Sequence, residues 1–205
     1  MLWFKAWCET RARLAVASVT LGIVALAIVG WTANWRAAGD APQTIFLVLA
    51  SVLGGGSLRQ ERAHHTLGFT LALPVARGHH LAVRALAGIA EVVALAALVA
   101  VLTRTPAVLA LWAPCGVLAF AVALGASTLI ANEYTGWLVG FGAVMAYEIT
   151  LNLTALRGAP AFDLYRIMSD ALVGAAVPWG SLAGLLAVGV FVLGLADRAQ
   201  RWSTL

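Results

Sequence analysis

Long apolar runs separated by short polar connections dominate this sequence. The first run, residues 14–33, has 20 residues, which at about 1.5 Å rise per residue span the roughly 30 Å hydrocarbon core of a bilayer. Comparable runs follow it, and we predict six transmembrane helices at residues 14–33, 44–58, 81–102, 107–130, 137–156 and 179–196. The pattern therefore predicts an all-α integral membrane protein whose residues 1–205 form one transmembrane domain.

The composition supports the membrane assignment and narrows the function. The chain has 205 residues, of which 62% are hydrophobic and 11% charged, against about 45–50% and about 25% in soluble domains. Little sequence is left for a soluble catalytic domain. The net charge of +4 is spread over the connections, where contact with membrane lipid accounts for it, so we expect no nucleic-acid partner. Cys8 and Cys115 have no CxxC spacing, which predicts neither a metal site nor a disulfide framework.

The distribution of basic residues predicts the orientation. With the N-terminus in the cytoplasm, nine bases lie inside: Lys5, Arg11, Arg13, Arg59, Arg62, Arg77, Arg84, Arg198 and Arg201. Four lie outside: Arg36, Arg104, Arg157 and Arg166. The positive-inside rule favours this arrangement, which places both termini in the cytoplasm of a multi-pass protein of the cell's inner membrane. Six tryptophans near the predicted span ends are expected at the headgroup level: Trp31, Trp35, Trp112, Trp137, Trp179 and Trp202.

Two segments outside the spans have apolar and charged residues interleaved. Residues 1–13 place Lys5, Glu9 and Arg13 at i, i+4 spacing with aromatic residues opposite, which predicts an interfacial amphipathic helix. This helix either anchors and orients the first span or docks a cytoplasmic partner. Residues 157–178 form a longer extracellular connection, in which apolar residues between charges favour short helices at the outer leaflet.

A polar island at residues 60–80 holds all four histidines of the chain, and residues 59–78 are predicted to form a cytoplasmic elbow. Leu67, Leu71 and Pro74 recur at helical spacing, so we predict a short cytoplasmic helix that ends at the proline. Gly78 is then expected to break the chain before the third span. Glu61 and His64 stand at the i, i+3 spacing of some metal sites, but no second pair supports a metal site. The histidines are therefore interpreted as facing solvent or headgroups.

This island resembles the motif Glu…Gly-Thr-Leu-Glu…Leu-x-x-Pro-x-x-Arg of type-2 ABC transporter permeases. Six residues carry the resemblance: Glu61, Thr66, Leu67, Leu71, Pro74 and Arg77. The six-span layout, the amphipathic N-terminus and the longer connection before the last span are also similar to the family. His65 and Gly68 depart from it, because the family usually has Gly and often Glu there.

The resemblance implies a function. The six motif residues would form the coupling helix that docks on a separate ABC ATPase subunit. Two permeases, identical or paralogous, would pair, and ATP-driven closure of two ATPases would export an amphiphile such as a drug, antibiotic, lipid or peptide. Nothing in the chain matches the phosphate-binding pattern Gly-x-x-x-x-Gly-Lys-Ser/Thr, so ATP and magnesium are expected in the partner, and this chain is not expected to be an enzyme.

Polar residues inside the predicted spans suggest a substrate pathway. Glu91 lies within the third span and Glu148 within the fifth, where a carboxylate costs about 3 kcal/mol to insert, and Asn152 follows Glu148 by one turn. In the resembled family the second and fifth spans line the conduit. The alternative is that these side chains hydrogen-bond neighbouring helices. Two acids without an intramembrane base would favour a cationic amphiphile. The glycines at 54–56 permit either close helix packing or an unwound gate.

Two other functional classes compete with the exporter. The chain could act alone as a proton-coupled transporter or channel that uses Glu91 and Glu148. A membrane-embedded enzyme is the least favoured class, because no nucleophile and base are suitably spaced.

Overall fold

The computed structural model describes residues 14–20, 22, 40–56, 77–130, 133–153, 163–172 and 178–202. Their regular structure is entirely helical, which confirms the predicted all-α class. Residues 14–20 form a helical segment. Six further helices follow: α1 (Ala41–Gly56), α2 (Arg77–Thr103), α3 (Pro106–Leu129), α4 (Glu133–Leu153), α5 (Leu164–Leu172) and α6 (Trp179–Trp202).

Three of these helices are long and apolar enough to cross a membrane. They contain the stretches Leu81–Thr103, Pro106–Leu129 and Trp179–Ala199, so three of the six predicted spans are supported. Helix α1 has 16 residues and is about 24 Å long, which is shorter than a typical hydrocarbon core. Helix α4 has 21 residues, but its polar residues lower its hydropathy. The spans at α1, at α4 and at residues 14–33 remain predictions.

Several helix boundaries differ from the prediction. Gly78 does not break the chain, because α2 already begins at Arg77; a helical glycine costs only about 1 kcal/mol. Most of the predicted connection at 131–136 is helical, since α4 begins at Glu133. Helix α1 covers 41–56 instead of 44–58, and α6 continues to Trp202 instead of ending at 196. The predicted ends follow the apolar residues, whereas a helix continues for as long as its backbone hydrogen bonds do. A helix can therefore extend beyond its apolar run into polar sequence.

Helix α3 lies at the centre of the bundle. It packs against each of the other five numbered helices. It is apolar on all sides, which is typical of a helix buried on all sides. Its fully buried side chains include Leu111, Trp112, Cys115, Phe120 and Leu124. The other helices are therefore arranged around α3.

Glycines allow three helices to approach closely. The backbone of α1 at Gly54 lies directly against the Phe120 carbonyl of α3. A Cβ at Gly55 would lie 2.8 Å from the backbone nitrogen of Trp137 in α4. Gly140 of α4 lies equally close to Ala123. Small residues serve this purpose in membrane bundles. Of the two roles considered for glycines 54–56, the structure shows close helix packing and not an unwound gate, because α1 stays helical through residue 56.

A tight turn joins α2 to α3. Arg104 has a φ of 55°, and its amide donates to the carbonyl of Val101, while the amide of Thr105 donates to that of Ala100. This pair of bonds is the Schellman ending, in which a left-handed residue terminates a helix. Pro106 then begins α3 at a position where its missing N–H costs nothing. Helices α2 and α3 are therefore antiparallel neighbours.

Candidate functional site

The short helix α5 docks into the bundle through one apolar face. Leu164, Ile167, Met168 and Ala171 are buried along that face, at the spacing expected of an amphipathic helix. The indole nitrogen of Trp112 donates to the carbonyl of Met168 at 2.9 Å. A nine-residue helix is thus held inside the connection for which the sequence predicted short helices.

Trp112, which was predicted to lie at the headgroup level, packs inside the protein. Its side chain is fully buried, and its ring packs against Phe46 of α1 with centroids 5.2 Å apart. Burial is tolerated because the indole N–H has a hydrogen-bond partner on α5, as buried tryptophans generally require. Trp179, by contrast, is 72% exposed.

Polar side chains join α5 to α1 and α4. The amide nitrogen of Gln43, which is 2% exposed, donates to the hydroxyl of Ser169 at 3.1 Å. The hydroxyls of Thr44 and Tyr165 share a hydrogen bond of 2.9 Å. The Tyr165 hydroxyl also donates to the thioether of Met145 at 3.6 Å. Helix α5 is therefore connected to α1, α3 and α4 at once.

Two carboxylates hold the N-terminus of α5. Oε1 of Glu148 accepts the Leu164 amide at 2.9 Å, and Oδ1 of Asp163 accepts the Arg166 amide at 2.8 Å. The first-turn amides of a helix lack intrahelical partners and carry partial positive charge, so carboxylates stabilise them. Glu148 is 3% exposed. Its bond to Leu164 joins α4 to α5, so the interhelical hydrogen bond that the sequence analysis gave as an alternative to a pathway role is present.

Glu148 also lines a cavity, which we name the α4–α5 cavity. Its volume is about 640 Å³. Three carboxyl groups, one guanidinium, two hydroxyls, a thioether and a phenol meet there with one aliphatic chain: Asp163, Asp40, Glu148, Arg166, Thr44, Ser169, Met145, Tyr165 and Ile149. Among the residues that the structure describes, no three His, Cys, Asp or Glu side chains are placed to hold a metal ion.

The phenol of Tyr165 stays protonated in this cavity at neutral pH. Burial raises its pKa above the usual value of a tyrosine; the hydrogen bond with Thr44 opposes that rise, and the carboxyl groups of Glu148 and Asp40 add to it. Negative neighbours disfavour a phenolate. Tyr165 therefore offers the cavity an uncharged aromatic ring and a hydroxyl donor.

A second, apolar cavity lies beside the first. It has a volume of about 230 Å³ and is lined by Leu118, Val122, Ala143, Val144, Tyr147, Leu164, Leu185 and Val188. These residues come from α3, α4, α6 and the first residue of α5. Tyr147 and Glu148 are consecutive in α4, and each lines a different cavity. The α4–α5 contact therefore separates a polar space from an apolar one.

The other predicted pathway residues lie elsewhere. Glu91 is buried in α2 and lines neither cavity. Asn152 lies in the last turn of α4, and its side chain falls outside the described residues. Arg84, counted from the sequence as a cytoplasmic base, is 5% exposed inside the Leu81–Thr103 stretch. Because the bundle contains this buried base, counting acids against bases gives no preference for a cationic substrate.

The predicted coupling residues fall mostly outside the described residues. Glu61, Thr66, Leu67, Leu71 and Pro74 belong to the undescribed stretch 57–76. Arg77 is the first residue of α2, and its side chain is likewise not described.

The sequence prediction missed most of the cavity lining. Asp40, Thr44, Met145 and Tyr165 had no assigned role. One local signal was available around Asp163: an acid that precedes apolar residues at helical spacing is a common helix start. That signal predicts α5 but not its contact with Glu148.

Taken together, the described residues form an all-helical bundle in which three helices are long and apolar enough to cross a membrane, which is typical of a membrane protein. Comparisons with protein family models, with characterised proteins and with solved structures gave no match to this chain.

Proposed function

We propose that this chain is the permease subunit of an ATP-driven ABC exporter in the cell's inner membrane, with both termini in the cytoplasm. It would pair with a second permease and two ATPase subunits and move an amphiphile outward. The observation that carries the proposal is the continuity of α2. The last residue of the permease-like motif, Arg77, is also the first residue of a helix that runs to Thr103.

This continuity provides a mechanical route. A displacement of the motif by an ATPase would reach α2 at its first residue, because Arg77 belongs to both the motif and the helix. Helix α2 packs along the central helix α3. Motion that enters at the motif would therefore reach the middle of the bundle, since packed helices move as bodies.

The exposed face of α4 supports pairing with a second permease. Gly142 and Ala146 are exposed and four residues apart, and nothing lies within 4 Å of a Cβ built at Gly142. Small residues at this spacing let two membrane helices approach closely. A second copy or a paralogue docked there would bring its own α4 beside this one, next to the two cavities.

The cavities support an amphiphilic substrate. One is charged and hydroxyl-rich and the other apolar, and both border α4. The proton-coupled alternative has weaker support, because its two acids are separated: Glu148 lines the α4–α5 cavity, whereas Glu91 does not.

Co-purification tests the proposal directly. The tagged chain is expressed together with its chromosomal neighbours, and the purified assembly is assayed for a bound ATPase subunit and for vanadate-sensitive ATP hydrolysis. We expect both. The proposal fails if the chain alone, reconstituted in liposomes, moves substrate down a proton gradient with no ATPase present.

Substitutions in the motif test the coupling. Glu61→Ala and Arg77→Ala should leave the complex assembled and abolish most ATP-dependent transport. Arg62→Ala is the matched control, since it removes a charge from the same connection outside the motif. Unchanged transport in both motif variants removes this connection from the mechanism.

A further inference from the structure

We propose that the apolar cavity is a lipid-binding site, which holds an acyl chain of a membrane lipid from the leaflet on the α5 side. This inference goes beyond the proposed exporter function and does not require an ATPase. It rests on where the cavity opens, on how deep it lies along the membrane-length helices and on what lines it.

The cavity lies between two helices that pack on α3 and not on each other. Helix α4 contacts α3 closely at Gly140, and α6 contacts it at Gly189, where a Cβ would lie 4.0 Å from the Cα of Leu118. Among the described residues, α4 and α6 make no extensive contact with each other. A gap therefore remains between them, and Leu118 and Val122 of α3 form its floor.

The inner wall of the cavity is closed, whereas its rim is open. Val144, Leu164 and Leu185 line it and are buried. Leu164 is the first residue of α5, so this helix borders one end of the cavity. The rim residues Tyr147 of α4 and Val188 of α6 are 39% and 48% exposed. The cavity is therefore open sideways, between α4 and α6.

The depth of the opening corresponds to lipid chains and not to headgroups. Leu185 and Val188 belong to the stretch Trp179–Ala199, which is long and apolar enough to cross a membrane. They follow Trp179 by six and nine residues, which is about 9 and 14 Å along a helix. Half of a hydrocarbon core is about 15 Å. The opening thus faces the acyl chains of one leaflet.

The lining suits hydrocarbon and does not suit water. Seven of its eight side chains are aliphatic, and Tyr147 is the exception. An ordered water needs about 2–4 polar partners, whereas an apolar cavity of about 150 Å³ is enough to bind benzene. The volume of about 230 Å³ therefore has room for part of an acyl chain, which would gain dispersion contacts with α3, α4 and α6 together.

The size of the cavity also distinguishes a lipid chain from a second copy of the protein. A helix with its side chains is about 10–12 Å across, which is too wide for a space of about 230 Å³. A second copy could insert no more than a side chain. An acyl chain is narrow enough to enter between the rim residues and to reach Leu164 at the start of α5.

Retention of lipid by the purified protein tests the proposal. The full chain is purified in detergent with dioleoylphosphatidylcholine, washed with detergent alone and examined by native mass spectrometry. We expect one lipid to stay bound per chain, because the cavity has room for one hydrocarbon chain. If the chain retains no lipid, the proposal is overturned. A lipid-free dimer that Val188→Phe dissociates would assign the cavity to a second copy instead.

Two matched substitutions connect the retained lipid to the cavity. Val188→Phe adds a ring to the rim, whereas Val190→Phe adds the same ring to a residue of α6 that is 70% exposed and lines neither cavity. The first should lower the lipid-bound fraction at least about fivefold, because the ring takes up apolar space that the chain would fill. The second should leave it unchanged. Equal retention in the two variants overturns the proposal.

Photolabelling of the unmodified protein gives an independent test. A phosphatidylcholine with a diazirine midway along one acyl chain is bound, unbound lipid is washed away, and the labelled residues are identified by peptide mass spectrometry after irradiation. We expect label on Val144, Tyr147 and Leu185, and little on Val190 and Phe191, which are exposed on α6. A diazirine on the headgroup should not label the first three. Equal labelling of the two sets would indicate ordinary boundary lipid and overturn the proposal.

Discussion

Helices α3 and α6 are alike as sequences and different as parts of the molecule. Each has 24 residues, and the apolar stretches that they contain have mean hydropathies of 2.3 and 2.0. Yet 67% of the stretch in α3 is buried within the protein, against 28% in α6. Hydropathy therefore identifies which helices can cross a membrane but does not tell which of them lies at the centre.

The difference arises from packing and hydrogen bonding. In a bilayer the lipid tails are as apolar as leucine, so association of helices depends on close contact and on polar bonds. Helix α3 has Gly116 against Phe46 and Val92, and the Trp112 indole bonds to α5. Helix α6 leaves Val190 and Phe191 exposed, at 70% and 66%, where lipid can cover them.

Enlarging a glycine should have the largest effect. A Cβ at Gly116 would lie 2.7 Å from both Phe46 and Val92, so Gly116→Leu should cost about 3 kcal/mol or more through overpacking. Gly194→Leu in α6 meets nothing within 4 Å and should change stability by less than about 0.5 kcal/mol. The stability of both variants is measured by heating the detergent-solubilised protein and quantifying, by size-exclusion chromatography, the fraction that remains folded. Equal stability of the two variants would contradict the central position of α3.

The two tryptophans provide the next test. Trp112→Phe keeps a six-membered aromatic ring but removes the pyrrole ring with its donor to the Met168 carbonyl, so the lost hydrogen bond and the lost packing together should cost about 1–3 kcal/mol. Trp179→Phe changes a side chain that is 72% exposed and should cost less than about 0.5 kcal/mol. The same unfolding measurement compares them. A harmless Trp112→Phe would mean that this hydrogen bond contributes little to holding α5.

Substitution of Glu148 separates structure from transport. Glu148→Leu removes the acceptor of the Leu164 amide and should cost about 1–3 kcal/mol, whereas Glu148→Gln retains an acceptor oxygen and should cost about 1 kcal/mol or less. In the proposed exporter complex, Glu148→Gln should alter substrate choice or the basal ATPase rate. If its only effect is loss of folded protein, Glu148 has a structural role alone.

The turn into α3 should give the smallest effect, and one of opposite sign. Arg104 has a φ of 55°, so Arg104→Gly should stabilise the protein by up to about 1 kcal/mol, because glycine adopts this conformation without steric cost. Arg198→Gly, at an exposed helical position of α6, should instead destabilise by about 1 kcal/mol. Destabilisation in both variants would contradict the helix-ending geometry at Arg104.

Much of the helix layout followed from the sequence alone. The third span was predicted at 81–102 and lies within α2, Arg77–Thr103; the fourth was predicted at 107–130 and corresponds to α3, Pro106–Leu129. Both helices contain a stretch that is long and apolar enough to cross a membrane. These agree because a run of apolar residues bounded by polar ones determines a membrane helix almost by itself. The boundaries of α4 and α6 agreed less well, because both helices extend into polar sequence.

The site itself was largely hidden from the sequence. Trp112 and its acceptor Met168 are 56 residues apart, and no periodicity links them. Glu148 was recognised as unusual because it is an acid among apolar residues, but its role at the N-terminus of α5 depends on where the chain returns 16 residues later. Asp40 and Tyr165 reach the same cavity from distant parts of the chain, so only the fold brings them together.

The corner at Arg104 leaves the α2–α3 hairpin without slack. Only Arg104 and Thr105 separate the two helices, and both residues are hydrogen-bonded back to α2. If α2 were tilted at its Arg77 end, this short, hydrogen-bonded turn would transmit the tilt to α3, so we expect the two helices to move as a pair. Helix α3 contains Trp112, whose indole is hydrogen-bonded to α5, so a movement of α3 would also displace α5.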